Sequence, residues 1–393
     1  MLETIYLDYA ATTPVRPEVL SAMLPYFSEN YGNPSSLHRL GREAGKALRQ
    51  ARQAMAEVLG CQPNELIVTG CGTEADNLAL RGVALAQRKR GAGNHIIVSS
   101  IEHKGILYTA RDLRDNFGFQ LSELPVDRHG RVDPDDLAKT LRSDTVVVSI
   151  MAANNEVGTL QPVAQLASLC REHGVPFHSD AVQASGTLGL NVDQLGVDLL
   201  SLGAHKFYGP KGVGLLYVRR GVPLQAQTTG GSQEGKKRAG TENVPFVVGM
   251  AEALVLVQKE RLSEAARLRT LRDRIVAGVL DQVPDAYLTG HPDQRLANHA
   301  SFAVPGVEAE GMLIGLDMAG FCASSGSACT SGAQEPSHVL MAMDINPAHA
   351  VGHLRLSLGR STTSEHVDKL LATLSPLVQR LRELSPFVEP VRN

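Results

Sequence analysis

The chain has 393 residues, of which 43% are hydrophobic and 20% charged, and its formal net charge is −3. That length suits two domains better than one, and the balanced charge argues against nucleic acid or an anionic membrane as the main partner. No apolar stretch reaches the roughly 18 residues that cross a bilayer. The acidic start Met1–Asp8 lacks the basic and apolar regions of an export signal, so the cytoplasm is the expected location.

Five cysteines, at 61, 71, 170, 322 and 329, form no CxxC pair. Such a set reads as reduced thiols rather than a disulfide frame or a metal site. Most are expected to be small apolar filler, with Cys329 the exception.

In chain order, the predicted elements begin with a short N-terminal strand, expected to return to the smaller domain, and a turn at Tyr31-Gly-Asn-Pro-Ser-Ser36. From about residue 50 to 220, strand and helix alternate. Leu66-Ile-Val-Thr leads into a helix from Thr73, and His95-Ile-Ile-Val-Ser-Ser into one from Lys104. Thr145-Val-Val-Val-Ser-Ile, Pro176-Phe-His-Ser and Asp198-Leu-Leu-Ser-Leu follow. Short apolar strands separated by helices predict an α/β fold with a mostly parallel sheet covered on both faces. Ligands gather at the carboxyl ends of such strands. Thr73, His103, Asn155, Asp180 and Lys206 all fall there, so the fold itself draws them to one crevice. Beyond 245 the texture changes: a long helix from about 245 to 283, strands at Ser301-Phe-Ala-Val and Leu354-Arg-Leu-Ser-Leu, and a closing helix near 364–384. The expected division is a large domain over 15–255 and a small one from 1–14 and 256–393, with a loop over about 322–335.

The chemistry centres on Lys206, a lysine between two apolar runs. Burial lowers the pKa of an ammonium and so supplies the neutral amine that condenses with an aldehyde. Asp180 ends a strand-like run upstream. The pair proposes a pyridoxal phosphate site, Lys206 as the imine-forming amine and Asp180 as partner of the ring nitrogen. Gly72 and Thr73 open a helix, where free N–H groups seat a phosphate; a plain helix cap reads the same way. His103 is placed to stack on a ring or relay protons. Asn154, Asn155 and Gln183 are placed to bond a ring hydroxyl, or are turn residues. Arg355 suits a substrate carboxylate through two parallel hydrogen bonds, and Asn33 is placed to share it. Small polar residues surround Cys329 in Ala323-Ser-Ser-Gly-Ser-Ala-Cys-Thr-Ser-Gly-Ala333, a loop composition unsuited to a buried structural thiol.

With these residues assembled, the chain resembles the cysteine desulfurases of iron–sulfur cluster assembly, of the NifS/IscS type, among fold-type I pyridoxal phosphate enzymes. The likeness runs nearly end to end. It rests on Leu7-Asp-Tyr-Ala-Ala-Thr-Thr13, Tyr31–Ser36, Glu102-His-Lys104, Asn154-Asn-Glu-Val-Gly158 and Asp180-Ala-Val-Gln183. His205-Lys-Phe-Tyr-Gly-Pro-Lys-Gly212, Gly240-Thr-Glu-Asn243, Ser325–Ser331 and Leu354–Arg360 complete the set.

The resemblance implies a seven-stranded large domain with a smaller α/β C-terminal domain, and the conversion of L-cysteine to L-alanine. It implies that Lys206 holds the cofactor and moves the Cα proton, that His103 stacks on the ring, and that Asn155 and Gln183 tune it. Gly72, Thr73 and His205 then bind the phosphate, and Arg355 and Asn33 the substrate carboxylate. Cys329 takes the sulfur as a persulfide. Thr241 is similar to a residue reaching the phosphate of a neighbouring subunit, which implies a homodimer with shared sites. The implied acceptor is an iron–sulfur scaffold or a tRNA-thiolation carrier, with Cys329 at most a transient contact for a cluster. Two positions depart from the pattern: Cys71 in the phosphate turn, and Gly203 where a phosphate-binding serine is usual. A selenocysteine lyase, an aminotransferase and a non-catalytic binding protein are the competing readings.

Overall fold

A computed structural model describes residues 4–326 and 336–384. Cys329 therefore lies outside the described residues. Twelve strands are described: β1 Ile5–Tyr6, β2 Leu66–Thr69, β3 His95–Ser99, β4 Gln120–Leu124, β5 Thr145–Ser149 and β6 Phe177–Asp180, then β7 Leu199–Gly203, β8 Gly214–Val218, β9 Tyr287–Leu288, β10 His299–Ala303, β11 Phe321–Cys322 and β12 His353–Ser357. Seven form one sheet in the order β2-β8-β7-β6-β5-β3-β4.

Its strands are short, β-branched and apolar because both faces are covered. Side chains alternate between faces along each strand. Ile97, Leu200, Leu202 and Leu215 enter one core, while Ile96, Val98, Leu199 and Leu216 enter the core on the opposite face. All pairings are parallel except those of β8, which runs antiparallel to β2 and β7. The reason is local: the connection over 204–213 is shorter than the crossover of about a dozen residues that a parallel neighbour needs. Lys206 lies in that connection.

The helix Gly72–Lys89 follows β2, with Glu74 in its first turn and Arg88 and Lys89 in its last, matching the helix dipole. The helix Lys104–Phe117 follows β3. A single helix, Val244–Gln282, is capped by the Asn243 side chain and has proline in its first turn. It runs from the large core, through Val247, Leu254 and Val257, to a second core through Leu268, Ile275 and Val279. The expected division at 255/256 thus falls inside one continuous helix.

The second core lies against a three-stranded antiparallel sheet, β12-β10-β9. The closing helix spans Ser364–Leu384. The N-terminal strand β1 pairs in parallel with β11, and Ile5 and Leu7 are buried in this second core. Among the described residues no helix is long and apolar enough to cross a membrane.

Candidate active site

Lys206 ends a single 3-10 turn, Ala204–Lys206, directly after β7. Its Nζ donates to the carbonyls of Ala10 (2.5 Å) and Ala11 (2.8 Å). Burial brings its pKa down to about 8; Arg355 pushes the same way, and Asp180 and Asp8 oppose it. The neutral amine is therefore far more accessible near neutral pH than in a solvated lysine.

Asp180 is the last residue of β6, the strand beside β7, and is 6% exposed. Its Oδ1 accepts from the Val182 amide at 2.9 Å. Burial raises its pKa, while His103, the Val182 N–H and Lys206 draw it back. His103, Lys206 and Asp76 are thus among the ionisable side chains that Asp180 interacts with.

The chain behind Asp180 contains a network that the sequence reading missed. His178 precedes it by two residues on the same face of β6. Its Nδ1 bonds Ser149 Oγ at 2.8 Å and its Nε2 bonds Ser201 Oγ at 2.9 Å. Burial pushes this imidazole down to about 3, so it is neutral. Asp76 lies 3.8 Å from His178 Nε2, fully buried, with Oδ1 lacking a hydrogen-bond partner among the described residues. Burial, then the charge of Asp180, holds Asp76 well above the carboxylate range. The available signal was an acid on an apolar helix face, four residues before Leu80 and seven before Val83.

Gly72, Gly203 and His205 converge at the start of the helix Gly72–Lys89. A Cβ on Gly72 would stand 2.8 Å from Val182 Cγ2, so any larger residue there would have to displace the Val182 side chain. A Cβ on Gly203 would lie 3.6 Å from the Gly72 amide nitrogen and 3.7 Å from His205 Cδ2. His205 bonds Thr12 Oγ1 at 3.2 Å; burial, then Lys206 and Lys211, lowers its pKa to about 4. Thr73 occupies the helix's first turn. Cys71, expected as filler, is instead exposed and caps the helix, its Sγ accepting from the Glu74 amide at 3.4 Å. Cys170 does match that expectation, being buried with its thiol pushed up to about 12.

His103 is exposed; its Nδ1 accepts from the Gly105 amide at 3.0 Å, capping the next helix. The neighbouring Glu102 is buried, accepts from Ser99 Oγ and the Met151 amide, and is pushed up to about 8 by burial. It braces the ends of β3 and β5.

The two asparagines separate in role. Asn154 is spent on its turn, donating to the Ile101 carbonyl and accepting from the amides of Glu156 and Val157. Asn155 is half-buried, and its carbonyl accepts from Arg355 Nη1 at 2.9 Å. Gln183 Nε2 donates to the Ala10 carbonyl at 2.9 Å.

Arg355 comes from β12, is 4% exposed, and forms an ion pair with Asp8 at 2.8 Å. Its backbone exchanges hydrogen bonds with Ser324, so it borders the segment leading towards Cys329. Asn33 and Thr241 are both exposed. Asn33 Oδ1 accepts from the Ser35 amide in a local turn, and among the described residues no hydrogen bond joins it to Arg355. The segment Asp8–Thr13 stands out in the sequence only as a motif. It touches Arg355, Lys206, Gln183 and His205, and so links both sheets at the site.

The profile of the family described as Aminotransferase class-V matches residues 5–370. The chain belongs to the class-V aminotransferase family. Within it, the chain is similar to "Cysteine desulfurase IscS" of Dictyoglomus turgidum, 47% identical over 387 residues, covering 98% of each chain. The protein of the same name from Methanosarcina thermophila is also 47% identical, covering 98% of this chain and 94% of that one. Among solved structures, a NifS-like protein superposes with a TM-score of 0.90 at 37% identity, covering 96% of this chain and 100% of that chain. Another, titled "SspA in complex with cysteine", gives a TM-score of 0.79 at 33% identity, covering 90% and 99%. Class-V aminotransferases and cysteine desulfurases depend on pyridoxal phosphate, and the mostly parallel seven-stranded sheet described above is the fold of that enzyme class.

Proposed function

We infer that this chain is a cysteine desulfurase that converts L-cysteine to L-alanine and retains the sulfur on Cys329 as a persulfide. The observation that carries the reading is Lys206. It is a half-buried amine with a pKa brought down to about 8, at the end of β7 beside the buried carboxylate of Asp180.

The residues present fit pyridoxal phosphate. The tight approach at Gly72, the amide-rich helix start at Gly72–Thr73 and neutral His205 suit a phosphate group. Asp180, held in reserve beneath, suits a protonated ring nitrogen, and exposed His103 is free to cover a ring face. Asn155 and Gln183 are placed to adjust the ring, and Thr241, on the surface of one subunit, to reach the phosphate of a second. When bound, pyridoxal phosphate supplies an electron sink for the pair left at Cα.

The chain's own residues do the rest. Arg355 holds the substrate carboxylate, with Asn33 as the proposed second donor. Lys206 Nζ takes the Cα proton and returns a proton on the way to alanine. The Cys329 thiolate forms an S–S bond to the substrate sulfur as the C–S bond breaks. That bond's electron pair goes to carbon, which takes up a proton to give alanine.

The proposed partners are a second copy of the chain and a sulfur acceptor, either an iron–sulfur scaffold or a tRNA-thiolation carrier. The cytoplasm is the proposed location, in keeping with free Cys61, Cys71, Cys170 and Cys322. The division into a large domain over 15–255 and a small domain from 1–14 and 256–393 is proposed on the two separate cores.

The test is incubation with L-cysteine followed by intact mass and alanine assay, for the wild type and Cys329→Ser. The wild type is expected to gain at least one sulfur atom and release alanine, and the variant to do neither. Equal alanine release with no sulfur retained by either protein would overturn the reading. Faster turnover of L-selenocysteine would move the assignment to a selenocysteine lyase, and amino transfer by Cys329→Ser to an aminotransferase.

A further inference from the structure

Arg355 meets any incoming carboxylate already partnered. A guanidinium offers five N–H donors on one planar fork. Here Nη1 donates to the Asn155 carbonyl at 2.9 Å, Nη2 donates to Asp8 Oδ1 at 2.8 Å, and Nε is buried with no hydrogen-bond partner among the described residues. Asp8 reaches the arginine because its backbone bridges to Ser357, two residues along β12 and therefore on the same face as Arg355. The carboxylate of Asp8 is not sealed in: its side chain is 20% exposed, against 5% for that of Arg355. One partner is thus fixed and the other has a route to water.

We propose that Asp8 is a built-in competitor for the substrate carboxylate at Arg355, setting how tightly amino acids are held. This rests on the reading of Arg355 as the carboxylate-binding residue. A second carboxylate on a guanidinium that already has one meets a neutralised charge and a like charge beside it. It gains less than it would from a free arginine.

The arrangement has a use in a catalytic cycle. Asp8 keeps the buried guanidinium compensated between turnovers, when an unpaired charge would be costly. It also reclaims the guanidinium as product leaves, which favours release of an amino acid that binds through the same carboxylate. Asp8 begins the turn whose next carbonyls, Ala10 and Ala11, hold Lys206 Nζ. The amine and carboxylate ends of a bound amino acid therefore meet the same short segment.

The direction of the effect separates competition from simple support. Asp8→Asn keeps an acceptor for Nη2 but removes the charge. Support alone predicts unchanged or weaker carboxylate binding, whereas competition predicts tighter binding.

The test is titration of the purified holoenzyme with L-alanine, and with ethylamine as the same ligand without its carboxylate, read from the absorbance of the bound cofactor. Asp8→Asn is expected to lower the Kd for L-alanine by about tenfold and to leave that for ethylamine unchanged. Unchanged or weaker L-alanine binding overturns the proposal. Arg355→Gln is run beside it. If that variant binds L-alanine as the wild type does, the carboxylate role of Arg355 is itself wrong. If it binds L-alanine more weakly while Asp8→Asn shows no gain, only the role of Asp8 falls. Should Asp8→Asn not fold, the wild type answers through L-alanine against L-alaninamide. A preference for the carboxylate below about thirtyfold supports competition, and a larger one, as expected of an uncontested charged pair, overturns it.

Discussion

The lysine half of the site stands on the seven-stranded sheet, whereas the arginine half hangs on the three-stranded sheet, and the segment Asp8–Thr13 ties them. On the lysine side each group comes from a strand end: Asp180 closes β6, Lys206 follows β7, and Thr73 and His103 open helices after β2 and β3. Their spacing is set by strands locked in register. Burial lifts the pKa of Asp180 and lowers those of Lys206, His178 and His205. On the arginine side Arg355 lies within a strand and is held by charge, against Asp8. The difference teaches that groups at strand ends are tuned by desolvation, whereas Arg355 is compensated by an ion pair whose carboxylate keeps a route to water.

The largest expected effect breaks the lysine half outright. Lys206→Ala is expected to reduce alanine formation by at least about a thousandfold, roughly 4 kcal/mol of barrier, and to abolish the visible absorbance of bound cofactor. In the unmodified apoprotein, the rate of cofactor capture is expected to rise as pH passes through about 8 rather than near the usual lysine value. The linkage has a definite sign. The native lysine binds its proton less readily than the unfolded one, so this residue's contribution to stability rises from about pH 8 to the unfolded lysine range. A flat profile there would remove the desolvation argument.

Asp180→Asn should come next. Turnover is expected to fall by about a hundredfold or more, nearly 3 kcal/mol. The pKa of Asp180 is raised by burial, so the native state is penalised for holding the ionised form above the unfolded value. Thermal unfolding at pH 7 is therefore expected at an equal or higher temperature in the variant, and a lower one would show that Asp180 holds the fold as well.

Gly203→Ser sharpens the comparison by adding to the rigid half. A Cβ there meets the Gly72 amide nitrogen at 3.6 Å, an ordinary contact, so a hydroxyl fits at the phosphate end. Slower cofactor loss by several-fold is expected, for one hydrogen bond of about 1 kcal/mol, measured by dialysis and absorbance.

The smallest effect belongs to Glu102→Gln. With its pKa pushed up to about 8, Glu102 is neutral at pH 7 and nearly isosteric with glutamine. Stability at pH 7 should change by less than about 1 kcal/mol. The wild type should lose stability as pH rises from the unfolded carboxylate value to about 8, since the native state binds the extra proton in that window. The variant should lack this slope, as followed by urea unfolding across pH.

Much of this was legible in the sequence, for physical reasons. Continuous runs such as Ile96–Val98 and Val146–Val148 fit only a strand covered on both faces, and such sheets present their strand ends to ligands. The positions of Asp180, Lys206, His103 and Thr73 at strand ends and helix starts are therefore legible in the sequence. The long helix and the closing helix were legible from their apolar spacing, to within a residue or two. Less legible were roles made by partners distant in the chain. Asp8 meets Arg355 across nearly the whole length of the chain, and no local spacing signals that meeting. Asp76 and His178 resembled ordinary helix and strand residues until burial set their protonation. Asn154 and Asn155 are adjacent, yet only the turn geometry assigned one to the backbone and left the other at the site.

By itself, then, the sequence determined what its local periodicities and turn chemistry encode: the elements, their order and the strand ends that carry reactive groups. The tertiary structure alone decided which charges face one another and how far each is withdrawn from water, because electrostatic energy depends on distance and desolvation rather than on separation along the chain.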